Sequence, residues 1–425
     1  MRKLTRPRFL PRMGHGERGA AAVLFGVFLA GGVVIGMLAL TVDIGNMMFE
    51  RRQLQNGADA TALALAQACA AGGTSAECDP AEWASLLDGN TPSDDESTYD
   101  VREYPLGACG RNTGNAALDA ALCASAGSDA NFADLAECPP LPAWLKGNEI
   151  PYVETYSRSA RNGDTILPAY FSQILTGNAG ADVTACARAA WGPPGSASIP
   201  LTISTCEWEA HTSGGTDWVE EQPSGPKPGY GPTADDWPDP SRELVVRLHD
   251  PNDSDQGCDW NGKDTAGGFG WVANDECKAL VTTDDWVQID TGNDVPQDCQ
   301  SILPGLVGTA VSIPVFDCII SSKTTPTGPK PTEPEGVCNP EKKDSGGANS
   351  WYHLAGWAKF YVSGYYFSGL HQDSILPSGG HTSCGDGGGD RCIYGWFLKG
   401  VLSDAEIDPD GTGPDFGAYV IRPAG

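Results

Sequence analysis

A chain of 425 residues with 54 Gly, 32 Pro and 14 Cys is long enough for two or three small domains rather than one uninterrupted core. Its net charge of −28 is unevenly spread: eight of the 27 Lys and Arg lie at or before Arg52, and the remainder carries 19 basic against 52 acidic residues. A net −33 over that remainder repels nucleic acid and excludes it as a partner, and a solvated, exported surface accounts for the acidity more simply than cation binding.

Residues 1–19 hold six Lys or Arg and form a basic lead. Residues 20–42 carry no charge, and 23 residues at helical rise reach about 34 Å, the depth of a bilayer core. A single transmembrane helix is predicted, with the short N-terminus cytoplasmic by the positive-inside rule, the bulk extracytoplasmic and the lipid bilayer as first partner. The run is longer than a signal-peptide core and lacks a small-x-small cleavage site, so an uncleaved anchor is favoured. Prepilin processing wants Glu at the fifth mature position, but Gly19, Ala21 and Leu24 stand there after Gly14, Gly16 and Gly19. Within the span, Ala22, Gly26 and Ala30 form a small-residue stripe and Gly32 and Gly36 a GxxxG step, where another membrane helix could approach.

Residues 43–71 keep a helical rhythm in Met47, Leu54, Ala58, Thr61 and Leu65, so the helix is predicted to continue past the membrane. Asp43, Glu50, Arg51, Arg52 and Asp59 are expected in headgroups or water. Gly45 and Gly57 are weak points, and Gly72-Gly73 supplies the stop.

The order of residues in "ERGAAAVLFGVFLAGGVVIGMLALTVDIGNMMFERRQLQNGADATALALAQAC" resembles the N-terminal module of the TadE/TadG-like proteins of Flp (tight adherence) pilus assembly. Arg18, Gly19, Asp43, Gly45, Arg52, Leu54, Gln55, Ala58, Asp59, Ala60, Ala62, Leu63 and Ala64 carry the likeness, which covers about 50 residues. The resemblance implies a non-enzymatic membrane component of pilus assembly or secretion, with other Tad/Flp membrane proteins as partners. It also encourages a pilin-like outline, a helix laid on a small sheet.

Residues 72–195 read as a small α+β region with strands at 99–104 and 152–156 and a helix near 169–175. In "ADVTACARAAWGPPG", Val183, Ala185, Ala187 and Ala189 share one face of a strand that Pro193-Pro194 closes, and this small face suits the long helix. Residues 196–425 hold strand candidates at 201–205, 244–248, 287–289, 310–315, 357–367, 393–402 and 418–421, a mostly antiparallel β region with long Pro/Gly loops between. The expected class is α+β: one N-terminal transmembrane helix extended as an exposed helix, then an exported, disulfide-rich, mostly antiparallel β region.

All 14 Cys come after the apolar run, which points to disulfides formed outside the cytoplasm. Proximity suggests Cys69 with Cys78, Cys186 with Cys206, Cys258 with Cys277, Cys299 with Cys318, and Cys384 with Cys392, although spacing alone does not establish connectivity.

Chemistry-bearing motifs are sparse. "CGDGGGDRC" resembles the GDSGG around a serine-protease nucleophile, but Gly387 stands where the Ser is required. No GxSxG, HExxH, phosphate-binding GxxxxGK[ST] or DxSxS occurs, and His211, His249, His353, His371 and His381 share no spacing. Glu406, Asp408 and Asp410 imitate the first half of a calcium loop, but Gly417 replaces the bidentate Glu at its twelfth position. An acidic turn is therefore preferred, calcium is the weaker alternative, and no other cofactor and no small-molecule substrate is expected. An anchored adhesin or binding module using the aromatic-rich β region is the alternative to pilus assembly, and an anchored hydrolase ranks last.

Overall fold

The computed structural model describes residues 19, 22–27, 33–72, 78, 97–99, 107–121, 123, 138–146, 149–159, 166–168, 173, 177, 180–195, 199–219, 239–247, 269–272, 274–279, 285–288, 295–321, 350–384, 391–402, 407–408 and 414–425. Val33–Ala70 is one helix of 38 residues, α1, about 57 Å long at helical rise. Ala, Leu, Met, Gln and Arg dominate it and carry the chain through Gly36, Gly45 and Gly57 without a break. It stops at Gly72, whose φ of 151° suits glycine and whose N–H donates to the Cys69 carbonyl at 3.3 Å. Buried residues on α1 recur at three- and four-residue steps: Leu54, Ala58, Thr61, Ala62, Leu65, Ala66 and Cys69 are all at most 3% exposed.

The strands, numbered along the chain, form two large sheets. The first contains β1 (Ser97–Tyr99), β2 (Ala108–Arg111), β3 (Tyr152–Ser159), β6 (Thr184–Gly192), β17 (Gly400–Val401) and β18 (Ala418–Pro423), ordered β1-β3-β6-β18-β17 with β2 also on β3. Only the short β17–β18 pairing is parallel in this sheet. Between β3 and β6, β4 (Ile166–Pro168) and β5 (Gly180–Asp182) make a separate antiparallel pair. Because β6 alternates strictly, Ala185, Ala187, Ala189 and Trp191 face α1 while Cys186, Arg188 and Ala190 face away.

The second sheet contains β7 (Leu201–Ser204), β8 (Leu244–Arg247), β9 (Phe269–Trp271), β12 (Asp285–Gln288), β13 (Thr309–Ser321), β14 (Ser350–Phe367), β15 (Leu370–Gln372) and β16 (Cys392–Leu398). Its order is β8-β16-β14-β13-β7-β9, with β12 and β15 also on β14, and every pairing except β13–β7 is antiparallel. A small hairpin of β10 (Asn274–Asp275) and β11 (Lys278–Ala279) comes after β9. Gly395 is required where β16 meets β14, since a Cβ there would lie 1.8 Å from the Tyr361 carbonyl oxygen. Short helices α2 (Ala116–Ala120), α3 (Thr205–Thr212), α4 (Gln297–Gln300) and α5 (Leu303–Leu306) and a 3-10 turn at Pro240–Arg242 lie between the strands.

The away face of the first sheet meets the second in one core: Tyr152, Tyr156, Ala190 and Val420 pack with Phe316, Tyr352, Leu354 and Trp357. The order of layers is thus α1, first sheet, second sheet. After β16 the chain returns to the first sheet through β17 and β18, a crossing that the expected break at residue 196 does not mark. The helix expected near 169–175 lies outside the described residues except at Gln173, which is helical, and of the strand expected at 99–104 only Tyr99 is described. Elements α2 and α3 and strands β2 and β9 have no counterpart among the elements expected from sequence.

Candidate functional site

Helix α1 divides into a docked half and an exposed half. In the docked half, Ala58, Ala62, Leu65 and Ala66 pack on Val153, Ala187, Ala189 and Trp191. Small side chains on both surfaces let the helix backbone approach the sheet closely enough for hydrogen bonds. Thr155 Oγ1 donates to the Ala58 carbonyl at 2.8 Å and Ser157 Oγ to the Leu54 carbonyl at 3.0 Å, using second lone pairs of oxygens already in the helix ladder. Gln55 Nε2 returns a bond to the Cys186 carbonyl at 2.8 Å and also reaches Asp59 at 3.0 Å. At the far end the Cys69–Cys78 disulfide ties the helix down, and Asn115 Nδ2 holds the Cys78 carbonyl at 2.7 Å.

The exposed half is apolar. Met37, Leu40, Val42, Ile44, Met48 and Phe49 are 44–67% exposed, and ahead of α1 Val23, Leu24, Phe25 and Val27 in the helical residues 22–27 are 60–71% exposed. Consecutive residues from Ala22 to Val27 are all exposed, so apolar groups face every direction around that turn instead of forming one stripe. Among the described residues no helix is long and apolar enough to cross a membrane, and residues 20, 21 and 28–32 of the expected span lie outside them.

Between the halves stand Asp43 and Glu50, expected in headgroups or water but only 4% and 3% exposed. Asp43, Glu50 and Leu54 follow one another at seven- and four-residue steps, so all three share one side of the helix, and charge alone does not send that side to water. Of the other residues singled out, Gly19, Gly45, Arg52, Asp59 and Ala60 are exposed, Leu54 and Ala58 are buried, Gln55 is half-buried, and Arg18 lies outside the described residues. Ala22 and Gly26 are exposed and Gly36 half-buried, with nothing within 4 Å of a Cβ built at Gly26; Ala30 and Gly32 lie outside the described residues.

This geometry decides what the likeness of α1 means. Residues 19–68 match the family described as "Putative Flp pilus-assembly TadE/G-like". The TadE/G-like segment therefore contains both the apolar exposed half and nearly all of the docked half, and its Leu54-Gln55 and Ala58 positions are the docking contacts themselves. No curated protein and no solved structure matches the chain.

Opposite the docked TadE/G-like segment, the other face of the first sheet holds a charge pair. Arg188 and Glu154 side chains are fully buried, with Nη2 at 2.6 Å and Nε at 2.7 Å from Oε1. The Tyr156 hydroxyl donates to Oε2 of the same carboxylate. The remaining guanidinium donors reach the Ala424 and Pro139 carbonyls, both at 3.1 Å. A buried pair needs this completeness, because either charge alone would be expensive in the interior.

Two disulfides flank Glu154: Cys109–Cys123 and Cys138–Cys186. With their sulfurs bonded to each other, these cysteines do not fit a metal as thiolates. Cys186 is thus joined to Cys138 and not to the expected Cys206, and Cys277 is joined to Cys299, which displaces both the Cys258–Cys277 and the Cys299–Cys318 expectations. The observed pairs close loops of 48 and 22 residues, where sequence proximity had suggested nearer partners. Cys206 and Cys318 are also disulfide-bonded, and the short loop Cys384–Cys392 is closed. Cys258 lies outside the described residues.

Elsewhere, His211 meets Glu207 at 3.2 Å and His353 Nδ1 meets Asp317 at 2.7 Å, while His371 and His381 lie against Tyr366 and Tyr394. The structure brings no two of these histidines together, and His249 lies outside the described residues. Asp408 is 1% exposed and its backbone N–H donates to Pro193 at 2.8 Å, whereas Glu406 and Asp410 lie outside the described residues. In the second sheet burial pushes the Lys359 amine down and the Tyr361 phenol up to about 12, and the Lys359 ammonium reaches only as far as the Val401 carbonyl, 2.9 Å away.

Proposed function

We propose that this chain is a non-enzymatic, membrane-anchored component of Flp-type pilus assembly or secretion, acting through its N-terminal helix and an extracytoplasmic head. The observation that carries the reading is the contrast within the family-matching segment: one half is buried in the chain's own sheet, while residues 22–27 of the other expose apolar side chains in every direction. A single partner helix covers one stripe, whereas lipid chains cover all sides of a helix, so a bilayer suits residues 22–42 best. The six basic residues ahead of the helix favour a cytoplasmic N-terminus, and the acidic, disulfide-bonded head suits the outside of the cell membrane. Other membrane proteins of the pilus machinery are the partners this reading calls for.

The alternative, an anchored adhesin using the aromatic-rich β region, would have to use rings other than Trp271, Trp357, Trp396, Tyr361, Tyr365 and Tyr394, which are all buried. The test is paired. Carbonate-washed membranes should retain the full chain and release a version beginning at residue 46, and a strain lacking the gene should lose surface pili. Release of both forms would remove the anchor; normal pili in the null strain would remove the assembly role.

A further inference from the structure

The last described strand lies beside β6, which together with β3 carries the docked helix. Strand β18 pairs with β6 in the register Val420 with Gly192, Ile421 with Trp191, Arg422 with Ala190 and Pro423 with Ala189. Past the strand, the Arg188 backbone N–H donates to the Gly425 carbonyl at 2.7 Å, and the Ala424 N–H donates to the Arg188 carbonyl at 2.8 Å. Arg188 Nη1 donates to the Ala424 carbonyl at 3.1 Å. Ile421 packs against the alanine cluster under α1, while Val420 and Ala424 enter the core on the opposite face. Arg422 lies over the Trp144 ring at 5.1 Å, joining the segment that also supplies the Pro139 carbonyl to Arg188.

We propose that residues 418–425 are a reversible clasp on the helix dock: they hold β6 in place, and when they leave, α1 undocks locally while the second sheet stays folded. Without β18, β6 becomes an open edge, and Arg188 loses a side-chain acceptor and both backbone partners at Gly425 and Ala424 while still facing Glu154. Water must enter to satisfy these groups, and β6 is the strand that carries Ala185, Ala187, Ala189 and the Cys186 carbonyl under the helix. The second sheet depends on the clasp only where Ala418, Val420 and Ala424 share a cluster with its Phe316, Tyr352, Leu354 and Trp357; its other cluster, with Val311, Ile313, Val315, Phe360, Val362 and Phe397, contains no residue of 418–425. The last cysteine is Cys392, so no disulfide fastens the clasp. The clasp also lies some 350 residues beyond the helix it secures, so the dock stays incomplete until the rest of the head has been made.

Hydrogen exchange in detergent micelles tests this, with the full chain compared with a chain of residues 1–417, which keeps Phe416 in the second sheet's cluster. Losing residues 418–425 should raise exchange in residues 54–69 and 184–192 about a hundredfold, leave residues 311–315 and 358–362 within about threefold, and be reversed by a synthetic peptide of residues 418–425. Unchanged exchange in the helix once residues 418–425 are gone overturns the clasp. So does equal loss of protection in both regions, which would make β18 an ordinary part of one cooperative unit.

Discussion

The helix dock on the first sheet and the interior of the second are built from different kinds of residue. The first meets its helix through Ala185, Ala187 and Ala189 against Ala58, Ala62 and Ala66, with three side-chain hydrogen bonds to backbone. The second relies on Trp357, Phe360, Tyr361, Trp396 and Phe397, all at most 3% exposed. Aromatic rings remove about 150–250 Å² each from water and tolerate small shifts in packing. Alanine removes little area, so the helix dock depends on close approach, on hydroxyls reaching carbonyl oxygens and on the charge pair behind β6. A dock of this kind is specific in position but modest in strength.

The sharpest way to break this contrast is to remove Arg188. Arg188→Ala should cost about 3–5 kcal/mol in denaturant unfolding of the head, because Glu154 is left buried without its cation. A loss under about 1 kcal/mol would mean water already reaches the pair. Trp357→Ala in the second sheet should cost a similar 3–5 kcal/mol, but through a cavity, so refilling with Phe should restore most of it. Overpacking separates the regions further: Ala187→Leu should destabilise by about 1–3 kcal/mol and raise protease sensitivity near residues 54–66, which a loose helix contact would not show.

Smaller effects refine the account. Thr155→Val and Ser157→Ala should each cost about 1 kcal/mol, and together they should be nearly additive, since each donates to a different helix carbonyl. In alkali the second sheet should weaken first. Burial raises the phenols of Tyr352, Tyr361 and Tyr394, so the stability they contribute is complete below the ordinary phenol value near 10 and falls as pH rises through the folded values, about 12 for Tyr361. Lys359 acts in the opposite sense: its amine is held down, so its contribution is present above 10.5 and is lost as pH falls through the lower folded value. Melting measured between pH 9 and 12 should therefore show a steeper decline for the parent chain than for Tyr361→Phe.

Much of the dock is legible in the sequence because it obeys local periods. The three- and four-residue rhythm of Leu54, Ala58, Thr61 and Leu65 and the two-residue alternation from Val183 to Ala189 each mark a face, and two small faces imply a close fit. Neighbouring cysteines such as Cys69 with Cys78 and Cys384 with Cys392 close short loops that need little global folding. Nothing in the same strings marks Glu154 as the partner of Arg188, or Cys138 as the partner of Cys186, because strand register decides which distant side chains share a face. Asp43 and Glu50 show the limit most plainly. Their charge assigns them to water, yet both are buried, on the side of the helix that they share with Leu54.

The sequence by itself determined the continuous helix, its apolar and alanine-rich halves, the small face of β6 and the β-rich character of residues 196–425, since each depends on spacing along a few turns or strands. Only the tertiary structure decided that β18 returns from the end of the second sheet to lie against β6, that a charge pair sits behind the helix dock, and which cysteines meet. Those outcomes depend on loop closure and register over tens to hundreds of residues, and no local period encodes them.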